Sequence, residues 1–243
     1  ATTGQQLLYA LDEQVRRYEH DGYVQKLEWH EYLGAVIDSQ GVCRGAILHD
    51  LHSDSIFTIA ADAVILATGG PGQLYARSTN STVCTGAATT SAYLQGAKYA
   101  NGEFIQIHPT AIPGEDKLRL MSESARGEGG RIWVPRKPND ARDPIAIPET
   151  ERYYFLEENH PLFGNLVPRD VASREIHDVV YNKKLGVGGK PMVYLDLTHH
   201  TPEYLDNRLG GIIDIYQKFT GQDPRRVPMK IFPAVHYSMG GLW

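Results

Sequence analysis

The chain has 243 residues, 42% hydrophobic and 22% charged, an ordinary globular balance; its net charge of −5 argues against nucleic-acid binding, which usually needs a basic face. The longest strongly apolar run, residues 63–67, is far too short to span a bilayer, so direct membrane insertion is not expected and any membrane association has to come through a partner. Cys43 and Cys84 are the only cysteines and stand apart without CxxC or His spacing, which supports neither a disulfide framework nor a metal site and leaves a reducing compartment as the default.

The length permits one large domain or two smaller ones with a real core. Residues 5–20 read as an amphipathic helix, because Leu7, Leu8, Leu11, Val15 and Tyr18 recur at three- and four-residue steps. Short β runs are expected at residues 23–29, 31–38, 44–51 and 56–60, separated by turn-forming residues. Residues 62–70 form a continuous apolar run ending in glycines, which suits a strand buried on both faces of a parallel sheet. Residues 86–100 read as a helix, and 104–107 as a strand feeding His108-Pro109-Thr110.

Residues 131–168 hold six of the fourteen prolines and read as a long irregular surface segment. Helices are expected at 169–182 and 202–219, and strands at 193–197 and 231–237. No internal repeat or low-complexity tract interrupts this order. The fold class is α+β: part of a nucleotide-binding α/β domain, an inserted mixed α/β domain, and a return strand. The chain opens at Ala1 without an initiator Met or signal-peptide pattern and stops at Trp243 straight after a Met-Gly-Gly turn, so a piece excised from a longer protein is expected.

Several short strings could carry chemistry, each with a plainer explanation. Ala67-Thr68-Gly69-Gly70 would let backbone N–H groups approach a phosphate or a ring, or it merely reverses the chain. No GxGxxG turn is present to hold a pyrophosphate. His108 ends its run as a ligand or as a satisfied structural residue. Glu123 and Arg126 are neighbours if they share a helical turn. A solvated ion pair there would be worth almost nothing, but the following glycines suggest close backbone packing. Asp170 suits a helix N-terminus, whereas Arg169 opposes the dipole and so hints at a functional placement. His236 ends an extended run before paired glycines, and no GxSxG elbow supports a Ser-His-Asp triad.

In order, ATGGPGQLY, FIQIHPT, SESARGEGG, LVPRD, YLDL and AVHYSMGG resemble the flavoprotein subunits of succinate dehydrogenases and fumarate reductases, over nearly the whole chain. The resemblance implies part of an FAD-binding domain at residues 1–104, a capping domain at 105–233 and a return to the FAD domain at 234–243. The wording resembles most the subfamily of Gram-positive bacteria. The activity implied is interconversion of succinate and fumarate, with hydride transfer to FAD and proton transfer by an arginine. His108, Ser122 and His236 resemble residues that bind the C4 dicarboxylate; Arg169 resembles the proton-exchanging arginine, and Glu123 and Arg126 its relay. Ala67, Thr68, Gly69 and Gly70, with Thr79 and Asn80, resemble segments lining the flavin.

Where the family often has Thr-Gly-Asp-Gly, this chain has Thr85-Gly86-Ala87-Ala88, so one carboxylate expected to contact FAD is missing. The N-terminal fingerprint and the histidine that attaches FAD should lie before Ala1, and a second carboxylate-binding arginine after Trp243. The isolated chain is therefore expected neither to retain FAD nor to turn over succinate. The implied partners are an iron–sulfur subunit and a membrane anchor, which would place the parent in the cytoplasm, peripheral on the inner face of the cell membrane. L-Aspartate oxidase shares several of these strings and is the alternative enzyme; an isolated, non-catalytic capping domain is the alternative of another class.

Overall fold

The computed structural model describes residues 3–114 and 118–243. Its first part runs α1 (Thr3–His20), β1 (His30–Ile37), β2 (Cys43–Asp50), β3 (Ser55–Ala60), α2 (Ala87–Leu94), β4 (Tyr99–Ala100), β5 (Ile105–Ile112) and β6 (Arg119–Leu120). There follow α3 (Ser124–Gly127), β7 (Arg131–Pro135), β8 (Arg152–Tyr153), α4 (Phe155–Asn159), α5 (Arg169–His177), β9 (Val193–Asp196), α6 (Pro202–Thr220), β10 (Met229–Ser238) and β11 (Gly241–Leu242). A π-helical turn, Asp178–Asn182, continues α5. The α+β class is as expected. The chain divides into two compact units: one made of Gly72–Val83 and Phe104–Met239, the other of residues 3–71, Cys84–Glu103 and Gly240–Trp243.

The first unit is organised by a six-stranded sheet of order β6-β5-β10-β9-β7-β8, with every ladder antiparallel. Helix α6 starts where Thr201 accepts a hydrogen bond from the Tyr204 N–H through its hydroxyl, with Pro202 in the first turn, and ends at Gly221 in the left-handed region. Its apolar stripe, Leu205, Leu209, Ile212, Ile213 and Tyr216, is buried in one cluster with Ile231 of β10, Leu195 of β9 and Ile176 of α5. Each such side chain removed from water is worth about 1.5–3 kcal/mol. The Tyr216 hydroxyl also accepts the Lys230 N–H at 2.9 Å, which fixes α6 against the start of β10.

Two expectations fail in this unit. Residues 131–168 are not an irregular surface. They contain β7, whose Ile132, Trp133 and Val134 are fully buried, and α4 with buried Phe155 and Leu156. Pro135 closes β7 and the other prolines fall outside β7 and α4, and tertiary packing supplies the order that local propensity does not. Nor does the 104–107 strand end before His108: β5 runs through His108, Pro109 and Thr110 to Ile112. Proline has no N–H to give a ladder, and the register with β10 slips beside Pro109, where Phe232 pairs with Ala111 but Ala234 pairs with His108.

The second unit contains the meander β1-β2-β3 and the small β4–β11 pair. The Gln95 amide both donates to and accepts from the backbone of Ala35, tying the end of α2 to β1. Helix α1 forms as expected but has no buried residue. The expected strand at 23–29 is absent, and the 86–100 helix stops at Leu94. The apolar run 62–70 is likewise not a strand, and Ile65 is 89% exposed. A strand exists only with a ladder partner, and no described residue pairs with this run. Cys43 and Cys84 are free thiols, and the described residues contain no group able to hold a metal ion.

Candidate active site

The candidate residues His108, Ser122, Glu123, Arg126, Arg169 and His236 all lie in the first unit. Strand β5 presents Gln106, His108 and Thr110 on one face, since alternate residues of a strand point the same way. His108 is fully buried. Its Nδ1 receives the Thr110 N–H at 3.2 Å and lies 3.1 Å from the Thr110 hydroxyl, which itself reaches the Met121 carbonyl at 2.8 Å. A hydroxyl can rotate but a backbone N–H cannot, so Nδ1 is the lone-pair nitrogen and the ring proton sits on Nε2. Burial, and after it the charges of Arg169 and His236, push the imidazole down to about 3, so the ring is neutral at pH 7. Nε2 is buried without a hydrogen-bond partner. An orphaned buried donor costs about 1–3 kcal/mol, which an incoming acceptor oxygen would recover.

His236 reaches the same place through a second irregularity. Val235 pairs with Ile107, but Tyr237, not His236, pairs with Gln106. His236 is the extra residue of a bulge, and bulges re-aim side chains. Its ring meets that of His108 edge-on, with centroids 5.2 Å apart. Thr79 Oγ1 lies 2.7 Å from its Nδ1, and the Asn80 amide donates to its carbonyl at 3.0 Å. The buried Ser78 hydroxyl donates in turn to Asn80 Oδ1. Gly72 permits this arrangement, because a Cβ there would stand 1.7 Å from Asn80 Oδ1. The side chains of Thr79 and Asn80 thus hold His236 in this unit. Burial, then the Arg169 charge, keep the His236 imidazole below its ordinary range.

A charged chain leads away from the two histidines. Glu123, just before α3, lies with Oε1 2.6 Å from Arg126 Nη2 and with Oε2 2.8 Å from Arg169 Nη2 and 3.2 Å from its Nε. The hydrogen bond from Arg169 is the main reason the Glu123 carboxyl stays below its usual range. Arg126 is only 2% exposed and also donates to the carbonyls of Asn165 and Val167. The Glu123–Arg126 pair is therefore buried at its arginine end, while the Glu123 side chain is 47% exposed. Burial lowers the Arg126 guanidinium below its ordinary value. As the sequence suggests, the glycines after α3 allow close packing: a Cβ on Gly130 would meet the Ala125 carbonyl oxygen at 2.4 Å. The Ser122 hydroxyl accepts the Ser124 N–H and donates to the Ser124 hydroxyl, so it rests on the first turn of α3.

Arg169 opens α5, and its guanidinium also donates to Gln106 Oε1 at 2.8 Å. The Ser173 hydroxyl donates to the Ile107 carbonyl, pinning α5 to β5 beside this contact. Gln106 and Thr110 are the residues that motif reading passed over. Their signal was available, since both stand two residues from His108 and share its face of the strand.

The family model for the FAD binding domain matches residues 1–243. The chain belongs to that FAD-binding family. It is 62% identical over its whole length to the succinate dehydrogenase flavoprotein subunit of Bacillus subtilis, and spans 39% of that protein. It is 32% identical, over 99% of its length, to a fumarate reductase flavoprotein subunit of Serratia, again spanning 39% of the relative. Among solved structures, the quinol fumarate reductase of Escherichia coli superposes with a TM-score of 0.70 at 30% identity, covering 88% of this chain and 35% of that one. A quinol-fumarate reductase with menaquinol molecules gives 0.73 at 29% identity, over 91% of this chain and 37% of that one.

For this member of the FAD-binding family, the cofactor candidates Ala67, Thr68, Gly69 and Gly70 belong to the second unit. They line a cavity of about 160 Å³ with Pro71, Thr89, Tyr99 and Gly240, Gly241 and Leu242. Small-molecule sites usually measure about 300–1,000 Å³, so this cavity suits part of a dinucleotide. Four of its lining residues are glycines, Gly69, Gly70, Gly240 and Gly241, and no charged side chain lines it. These residues fit a portion of FAD.

Proposed function

We propose that this chain supplies the dicarboxylate site and the proton-transfer residues of a succinate dehydrogenase or fumarate reductase flavoprotein. In this reading residues 105–233 are the capping domain, and 1–104 with 234–243 contribute to the FAD-binding domain. The observation that carries the reading is the unpartnered, buried Nε2–H of His108, set beside His236 and the chain Arg169–Glu123–Arg126. Such an arrangement offers a fixed donor for a carboxylate oxygen and a separate route for a proton. The 62% identity to a succinate dehydrogenase flavoprotein subunit supports this reading over L-aspartate oxidase.

His108, neutral and locked in its Nε2–H form, donates to one carboxylate of a C4 dicarboxylate. His236 and the Ser122 hydroxyl complete the grip, and the neutral state of both histidines keeps the site from holding product as tightly as a fixed cation would. Bound FAD supplies the hydride acceptor. Arg169, having handed a proton to Glu123, takes the proton leaving the adjacent substrate carbon. Both Glu123 oxygens are already hydrogen-bonded to an arginine, Oε2 to Arg169 and Oε1 to Arg126, so the proton passes along existing contacts. An arginine is an unusual catalytic base, because its high ordinary pKa keeps it protonated, and its use demands rigid placement and exclusion of water.

Partners and location belong to the same proposal. The relatives are named as subunits, which supports an assembly with other chains; the iron–sulfur partner and membrane anchor are what the family resemblance implies. No helix among the described residues is long and apolar enough to cross a membrane; peripheral attachment at the inner face through those partners is part of the proposal.

The test is turnover of the holoenzyme carrying Arg169→Lys or, separately, His236→Ala. Lysine keeps the charge but not the planar fork of donors. The arginine variant is expected to lose about 10²- to 10⁴-fold in kcat, the usual worth of an acid–base group, with a modest change in dicarboxylate KM. Turnover within about tenfold of the parent, below that range, removes Arg169 from the role. A histidine variant that binds substrate normally but has lost turnover shows the two roles exchanged.

A further inference from the structure

The Arg169 guanidinium is held from two sides by chemically different groups. On one side a single oxygen, Glu123 Oε2, receives both the Nε–H and an Nη2–H. The other Glu123 oxygen is occupied by Arg126. A guanidinium held on one oxygen can swivel about that point, because the parallel two-oxygen fork that normally fixes an arginine is not available. On the other side, Nη1 donates to Gln106 Oε1 at 2.8 Å. Nη1 has only donors to offer, so the amide atom facing it must be the oxygen.

We propose that Gln106 is a positioning residue for proton transfer: it fixes the plane of the Arg169 guanidinium through an acceptor that carries no charge. The proposal rests on the reading of Arg169 as the proton carrier and adds to it what sets its orientation. Three features support it. Gln106 and His108 are two residues apart on one face of β5, so the strand sets the spacing between the carboxylate donor and the proton carrier. The Gln106 backbone pairs with Tyr237, the first residue after the bulge that turns out His236, so one ladder step positions both groups. The Ser173–Ile107 hydrogen bond holds the helix bearing Arg169 against the strand bearing Gln106.

Neutrality is the second half of the argument. An arginine that must give up and regain a proton is hindered by each anion placed against it, because opposite charge favours the protonated form. Glu123 is already one such anion. A glutamate at 106 would keep the acceptor and its length but add a second. A glutamine orients without that penalty.

The experiment compares holoenzymes carrying Gln106→Leu, Gln106→Glu and Arg169→Ala, with succinate oxidation followed across pH and unfolding temperatures measured alongside. Gln106→Leu is expected to lower kcat about 10- to 100-fold, the scale of a misplaced reacting group, while KM changes by less than about threefold and the pH profile keeps its midpoint. Gln106→Glu is expected to move the kcat profile toward higher pH by about one unit or more, because the added anion holds the proton on the carrier. A purely structural glutamine would lower the unfolding temperature without moving that midpoint. A Gln106→Leu kcat within about twofold of the parent, or an unmoved Gln106→Glu midpoint, overturns the proposal while a dead Arg169→Ala enzyme leaves the reading of Arg169 intact. Turnover that survives Arg169→Ala overturns both.

Discussion

Helices α1 and α6 carry the same kind of apolar stripe, yet one is covered and the other is not. In α6 all five stripe residues are buried, within a unit whose core includes Trp133, Phe155 and Leu195 at zero exposure. In α1, Leu7, Leu8 and Leu11 are each more than half exposed. Ala92 is the sole buried hydrophobic side chain among the described residues of the second unit. Periodicity forms a helix, but only a facing surface turns that helix into stability. The first unit contains its own facing surfaces, and the proposed substrate and proton-transfer residues all lie there.

The largest effect expected from this contrast is in the first core. Trp133 is fully buried, donates through Nε1 to Asp196 at 3.1 Å, and lies under the Arg152 guanidinium. Trp133→Ala should cost about 3–5 kcal/mol, measured by denaturant unfolding. A loss below about 1 kcal/mol, typical of exposed sites, would mean that this core does not carry the unit.

A smaller effect concerns acid. The His108 imidazole sits at about 3 in the folded chain against an ordinary 6.5. A depressed folded value contributes stability above pH 6.5, and that contribution is lost as pH falls from 6.5 toward 3, when the unfolded state takes up a proton that the folded state refuses. His236 is shifted in the same direction. The expected loss on acidification is a few kcal/mol, of the order that linkage gives for shifts of this size. His108→Gln should bind about one proton fewer on unfolding in that window. An unchanged slope of stability against pH would show that His108 ionises freely in the folded chain.

The smallest effect should come from α1. Leu11 is 57% exposed, so Leu11→Ser should change the stability of this chain by less than about 0.5 kcal/mol. A loss above about 1 kcal/mol, beyond what exposed positions show, would mean that α1 is covered in solution and would break the comparison.

Sequence alone determined the local elements whose signals are chemical and nearby. Helix α6 was readable from its stripe and from Pro202 and Gly221 at its ends. The candidate site residues were picked out through the order of short strings such as HPT, SESARGEGG and PRD, since a lone histidine or an acidic residue three before an arginine is common, as Glu149 and Arg152 show. Tertiary structure decided what they amount to. Glu123 and Arg169 are 46 residues apart and meet through hydrogen bonds that no spacing rule foretells. His236 faces His108 because of a one-residue bulge, a property of two strands and not of either alone. The proline-rich 131–168 segment hides a buried strand because neighbours fill in what propensity lacks, whereas the apolar 62–70 run forms no strand because no described residue pairs with it. Propensity and pattern act over a few residues. Burial and hydrogen-bond satisfaction are settled by whatever chain arrives on the other side.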